Sequence, residues 1–226
     1  MFTQNTFNAT YSRLNVIYVN MKKNTEKTTY HHGDLKKALM EASLKLLKEE
    51  GYQALSLRKV AKLAGVSQSA PYRHYPDLES LLAEIATEGF KLLAEQLKKL
   101  RTQFANRSLL QFRESGIRYV EFALKNPDLF KIMYGNQIQD HSKYDTLIAA
   151  EEETFDVLVN IISDCKRDGQ LVTNDVKKTS IASWTMVHGI AVLLSGKQMM
   201  FRKIDFKNAK TITKEMIEHL YLGMKP

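Results

Sequence analysis

The stretch SLRKVAKLAGVSQSAPYRHY, from Ser56 to Tyr75, gathers the residues whose types and order point to a chemistry. Small and polar side chains, Gln68, Ser69, Ala70 and Pro71, are followed at once by Tyr72, Arg73 and His74. Wound into a short helix, they make an outer face that is polar, then aromatic and cationic, which a DNA major groove can accept. The same two-helix pattern also serves plain structural packing. Elsewhere the candidates thin out. Glu151, Glu152 and Glu153 are consecutive, and consecutive helical residues point in different directions, so they read as a solvated run rather than an acid/base or metal cluster. Cys165 is the single cysteine, which leaves no intramolecular disulfide and no Cys-cluster metal site. Its place in a helical pattern makes it a small buried hydrophobe. The sequence carries no phosphate loop, zinc-binding helix or serine elbow, so no enzyme activity, catalytic residue, metal or cofactor is expected.

The opening stretch needs elements to position it. Ser56 is the expected cap of a first short helix with Leu57, Val60, Ala61 and Ala64 at helical spacing. Gly65 ends that helix in a left-handed conformation, Val66 plugs into the core, and Ser67 caps a second helix from Gln68. Upstream, Asp34 is the expected cap of a longer helix, with Leu35, Ala38, Leu39, Ala42, Leu46 and Leu47 as its apolar stripe and Gly51 as its stop. It supplies the wall for the two short helices, which alone are marginal in water. Residues 1–29 are polar and Asn/Thr/Lys-rich and are expected to form a flexible arm. Met21 followed by KKNTEK looks like an ordinary protein start, so residues 1–20 are expected to lie upstream of the native one.

After Pro76, Asp77 is the expected cap of a long helix to about Phe104, carrying Leu78, Leu81, Leu82, Ile85, Phe90, Leu93, Leu97 and Leu100. Ser108 caps the next, to about Lys125. Asn126-Pro127-Asp128 then marks a break and a fresh start, since proline suits a first helical turn and not an interior. A short helix ends at Gly135, and residues 136–141 form a polar loop. Further helices are expected over about 143–168, with Leu147, Ile148, Phe155, Leu158, Val159, Ile161 and Ile162 buried, then 174–195 and 208–222. No strand alternation persists, so the fold class is all-α: a helix-turn-helix head over 30–76 and a larger α-helical body over 77–226.

Charge separates these two parts. The formal net charge is +8. Residues 1–76 hold 12 Lys+Arg and 5 acids, a net +7, which leaves +1 for the remaining 150 residues. That asymmetry favours a polyanionic partner for the N-terminal third alone. An anionic membrane is the poorer match, because the bases surround the helices rather than flank one continuous apolar face. No run is apolar and long enough to span a bilayer, and the first twenty residues lack the core and cleavage site of a signal peptide. A reducing cytoplasm fits.

Residues 30–82, YHHGDLKKALMEASLKLLKEEGYQALSLRKVAKLAGVSQSAPYRHYPDLESLL, resemble the tetracycline-repressor (TetR) family of bacterial transcription regulators, with the run Gly-Val-Ser, four residues, Tyr, one residue, His-Tyr as the specific part. Trp184-Thr-Met-Val-His188-Gly189 resembles the W…H-G signature of one branch of that family. The resemblance implies a DNA-binding head, a homodimer, a small-molecule effector bound in the body, and a role as a ligand-responsive repressor on a near-palindromic operator. It puts Ser56 and Arg58 at phosphate or groove contacts. Gln68, Ser69, Ala70 and Pro71 then face base edges, with Gln68 suited to adenine and Ala70 and the Pro71 ring to a thymine methyl. Tyr72 and His74 take the place of backbone-contacting residues. Arg73 has two readings, a DNA contact or a pair with a neighbouring acid, and Tyr75 reads as a core aromatic. Where family members often carry Lys, this chain has Leu78, which leaves the helix N-terminus as the phosphate-attracting feature, with Lys22, Lys23 and Lys27 of the arm as a candidate substitute.

For the effector, Tyr119, Phe122, Phe130, Met133, Tyr134, Phe155, Trp184 and His188 are the candidate pocket residues: apolar walls with a few polar tips. Trp184 and His188 are four apart and share a helix face, although a satisfied buried histidine remains the alternative for His188. The helices over 174–195 and 208–222 are the dimer candidates, pairing into a four-helix bundle. The rival reading is a helical adaptor that binds protein without sequence-specific DNA binding, which would leave the basic head without a use.

Overall fold

A computed structural model describes residues 32–196 and 208–226; the arm over 1–29, with Lys22, Lys23 and Lys27, lies outside these residues. Eight α-helices and no strand occur among the described residues. They are α1 (His32–Glu50), α2 (Leu57–Leu63), α3 (Leu78–Gln103), α4 (Ser108–Lys125), α5 (Pro127–Tyr134), α6 (Asp145–Arg167), α7 (Val176–Ser195) and α8 (Ala209–Leu222). The all-α expectation is borne out. No described helix is long and apolar enough to cross a membrane.

α1 buries Leu35, Leu39, Ala42, Leu46 and Leu47 of the predicted stripe and leaves Ala38 half-buried. It starts two residues before Asp34, which therefore sits inside the first turn rather than capping it. Gly51 stops the helix with φ of 79°, a region open to glycine at no steric cost. α2 is capped as expected: the Ser56 hydroxyl oxygen accepts from the Lys59 N–H at 3.3 Å. It closes on Gly65 (φ 71°), with the Val66 N–H donating to the Ala61 carbonyl at 3.0 Å.

The second short helix differs from its expectation. Only a 3-10 turn forms, Ala70–Arg73, and Ser67 does not cap it; its hydroxyl lies 3.2 Å from that of Ser69. The cause is Pro71. Lacking an N–H, it cannot close an α-turn onto the Ser67 carbonyl. The chain tightens instead into three-residue bonds, Ala70 N–H to Ser67 O at 3.0 Å and His74 N–H to Pro71 O at 2.9 Å.

α3 is the longest element and joins the two parts. Asp77 and Ser80 form a reciprocal capping box, with Ser80 N–H donating to Asp77 Oδ1 at 2.8 Å. Downstream, α3 packs on α6 and α5, while α4 packs on α7, α6 and α8. Ser108 departs from expectation: it is the first residue of α4, buried, and Arg107 occupies the cap position. On α6, Ile148, Phe155, Leu158 and Val159 are half-buried, and Val157 and Thr154 take the interior positions. α5 touches both parts of the molecule. Its inner face buries Leu129, Phe130, Ile132 and Met133. Its outer face meets the turn after α1, where Asp128 Oδ1 accepts from the Tyr52 N–H at 3.4 Å and Lys131 Nζ lies 5.5 Å from the Tyr52 ring centroid.

Candidate nucleic-acid interface and effector cavity

Around α2 and the 3-10 turn the polar residues face outward. Arg58, Gln68, Ser69, Tyr72 and Arg73 are exposed, with Tyr72 at 53%. Among the described residues no acid pairs with Arg73. Lys59 is engaged with Glu50 at 3.0 Å, and Lys36 with Glu84 at 2.9 Å, so the outward cations of this face include Arg58 and Arg73 but not every base near them. Ser56 is occupied as a cap, and only its own proton is left to donate.

Three residues are placed differently from the outward row. Pro71 is buried, so the reading that sets its ring against a thymine methyl is corrected: the ring serves the interior and the φ restraint of the turn. His74 is half-buried, with Nε2 turned inside. Tyr75 is 2% exposed, the core aromatic its position suggested, and burial raises its hydroxyl far above the ordinary phenol range. Leu78 lies on the surface at the start of α3.

The second site is an internal cavity of about 370 Å³ between α3, α4, α5, α6 and α7, with Ile217 and Leu220 of α8 at its far wall. Of the eight candidate pocket residues, Tyr119, Met133, Tyr134, Phe155 and Trp184 line it. Phe122 and Phe130 do not, which corrects that expectation: both are buried core, Phe122 at 2% and Phe130 at 3%. Phe130 stands behind the wall, its ring centroid 4.9 Å from Tyr134 and 5.8 Å from Tyr119. His188 is not on the wall either: it is half-buried beside Tyr134, their ring centroids 4.8 Å apart.

Tyr119 bridges Trp184 and His188. The Trp184 indole N–H donates to the Tyr119 hydroxyl oxygen at 3.2 Å, and indole nitrogen can only donate. The Tyr119 hydroxyl also lies 2.8 Å from His188 Nδ1, and it can either donate to that nitrogen of a neutral imidazole or accept from it. Burial also lowers the His188 pKa below its ordinary value, in agreement with the neutral form. The Tyr119 and Tyr134 hydroxyls are pushed well up by burial and stay neutral hydrogen-bonding groups.

Among the wall residues that the sequence reading did not place there are three polar ones, His141, Glu151 and Thr154. His141 Nδ1 donates to Glu151 Oε1 at 2.6 Å, with the two side chains 27% and 28% exposed at the solvent edge of the cavity. Of the three consecutive glutamates only Glu151 turns inward; Glu152 and Glu153 are exposed. Thr154 lines the cavity as well, its hydroxyl donating to the Ala150 carbonyl at 2.7 Å. No group of three or more His, Cys, Asp or Glu fit to hold a metal occurs among the described residues.

A helix-turn-helix head carrying an outward polar row, joined by a long helix to a hollow all-α body, defines a class of DNA-binding regulator. Two family profiles match the chain: bacterial regulatory proteins of the tetR family over residues 39–85, and the tetracyclin repressor-like C-terminal domain over residues 112–220. The chain belongs to the TetR family, whose members are DNA-binding transcriptional regulators and in general not enzymes. Among solved structures it is similar to a protein of unknown function from Rhodococcus sp. RHA1, 26% identical with a TM-score of 0.75, covering 88% of this chain and 100% of that one. It is also similar in fold to the TetR family transcriptional regulator PfmR from Thermus thermophilus, 21% identical, TM-score 0.60, covering 84% and 99%. A tetR-family regulatory protein from Rhodococcus RHA1 matches at 16% identity, TM-score 0.62, covering 84% and 97%.

Proposed function

We propose that this protein is a ligand-responsive repressor that binds a near-palindromic operator as a homodimer in the cytoplasm. Residues 30–76 form the DNA-binding head and residues 77–226 the effector-binding and dimerisation body. The observation that carries this reading is the pairing of an exposed polar and cationic row on the head with an aromatic cavity in the body, the two joined by α3 and touching through α5. Gln68 and Ser69 address base edges, with half-buried Ala70 beside them. Ser56, Arg58, Tyr72, Arg73 and His74 position the head on the phosphates. The homodimer reading is supported by apolar side chains left on the surface of the last two helices, Ile181, Val192, Leu193 and Leu222. Two heads in successive major grooves stand roughly 34 Å apart. An effector that binds the cavity better in one arrangement of the heads than the other shifts the operator affinity by that difference.

The experiment is a footprint on the DNA around its own gene. The expected result is a two-fold protected site whose affinity falls steeply with salt, on the order of 10³-fold between 50 and 200 mM for six or more phosphate contacts. Absence of any protected site at every salt tried would overturn the reading and return the chain to the protein-binding adaptor.

A further inference from the structure

The cavity wall is uneven in its charge. Six aromatic rings face it, Phe90, Phe112, Tyr119, Tyr134, Phe155 and Trp184, and among the described residues no Lys or Arg does. The single carboxylate on the wall is Glu151, and the single imidazole, His141, is bonded to it. That bond aims the carboxylate and leaves its second oxygen without a partner among the described wall residues. Glu151 lies near enough to Tyr134 that its charge adds to burial in holding that hydroxyl above its ordinary value. A ligand carboxylate entering here would meet Glu151 with no Lys or Arg among the described wall residues to offset it. A ligand cation would meet one opposite charge and the negative faces of aromatic rings, the combination that recognises ammonium groups.

Resting on the reading of this cavity as the effector site, we infer that it takes a lipophilic organic cation, with an apolar part among Phe90, Phe155 and Trp184 and a charged head beside Glu151 at the solvent edge. The cavity volume of about 370 Å³ suits a molecule with an apolar chain of eight to ten carbons and a compact head.

Trp184 is the only tryptophan of the chain and lies on the wall, so its emission reports occupancy directly. The test titrates the full-length protein with octyltrimethylammonium, 1-octanol and octanoate, which share a chain and differ in head charge. The expected order has the cation at least about ten-fold tighter than the alcohol, equivalent to ~1.4 kcal/mol, and the octanoate weakest. In Glu151→Gln the cation should lose about ten-fold while octanol binding is unchanged, and that unchanged arm shows the variant is folded. Octanoate binding as tightly as the cation, or a Glu151→Gln protein that keeps the cation preference, overturns the inference while leaving an effector cavity in place. If none of the three perturbs Trp184, the effector reading itself falls and the inference with it.

Discussion

The head and the body use their polar residues in opposite ways. In the head, side chains with recognition chemistry stand in water on a small support: Arg58, Gln68, Ser69, Tyr72 and Arg73 are exposed, and the core beneath them is one face of α1 with Leu57, Val60 and Tyr75. In the body they are turned inward, where Tyr119, Trp184 and His188 bond to one another and Glu151 to His141 around a hollow. A site for a large rigid polyanion has to project, whereas a site for a small apolar molecule has to enclose. The difference also says where changes should be felt: in the head, function and stability separate, and in the body they do not.

The sharpest attempt to break that separation is in the head's own core. Leu39 is fully buried, and Leu39→Ala is expected to cost about 2–5 kcal/mol in chemical denaturation. It should weaken DNA binding only as far as the head unfolds. Next in size, Arg73→Ala should lower operator affinity by about 1–3 kcal/mol in a gel-shift titration, with stability within about 0.5 kcal/mol of the parent. A melting shift as large as the binding loss would mean the exposed row is structural. Pro71→Ala should cost about 0.4–1 kcal/mol, because the ring limits the unfolded chain at a conformation the native turn already uses. It should spare base preference, since the ring is buried; altered operator discrimination would put Pro71 back among the readers.

The smallest effect is read as a difference of slopes. Burial depresses the His188 pKa in the folded protein. The unfolded chain therefore takes up that proton first, and the contribution of neutral His188 is complete above the ordinary value of about 6.5 and declines as pH falls below it toward the folded pKa. The melting temperature of the parent should drop more between pH 7.5 and 5.5 than that of His188→Gln. Equal drops would place the titration elsewhere.

The head was legible because its determinants are contiguous. Twenty residues hold both short segments, their turn glycine and the outward row, and helical spacing orders them. What misled was a single missing amide: Pro71 converts an expected helix into a 3-10 turn and turns its own ring inside. The helices of the body were legible within a few residues, but its cavity was not, because it is assembled from six helices whose lining residues run from Phe90 to Leu220. Tyr119 and Phe122 are three residues apart on α4, and both are buried, yet one faces the hollow and the other the packed core. Apolar periodicity identifies the buried side of a helix and cannot tell a wall from a filling. Glu151 did leave a signal: it lies four after Leu147 and three before Thr154, on the buried stripe of α6. Its exposed neighbours hid it.

α5 has a consequence for how the chain tolerates change. At eight residues it is about 12 Å long, yet Met133 and Tyr134 form cavity wall while Asp128 and Lys131 touch the turn that follows α1. It has no face given over to solvent alone on which a substitution can be absorbed unnoticed. A mutation along it is scored in two places, as altered ligand fit and as altered seating of the head, so variants of α5 with one phenotype but not the other should be scarce.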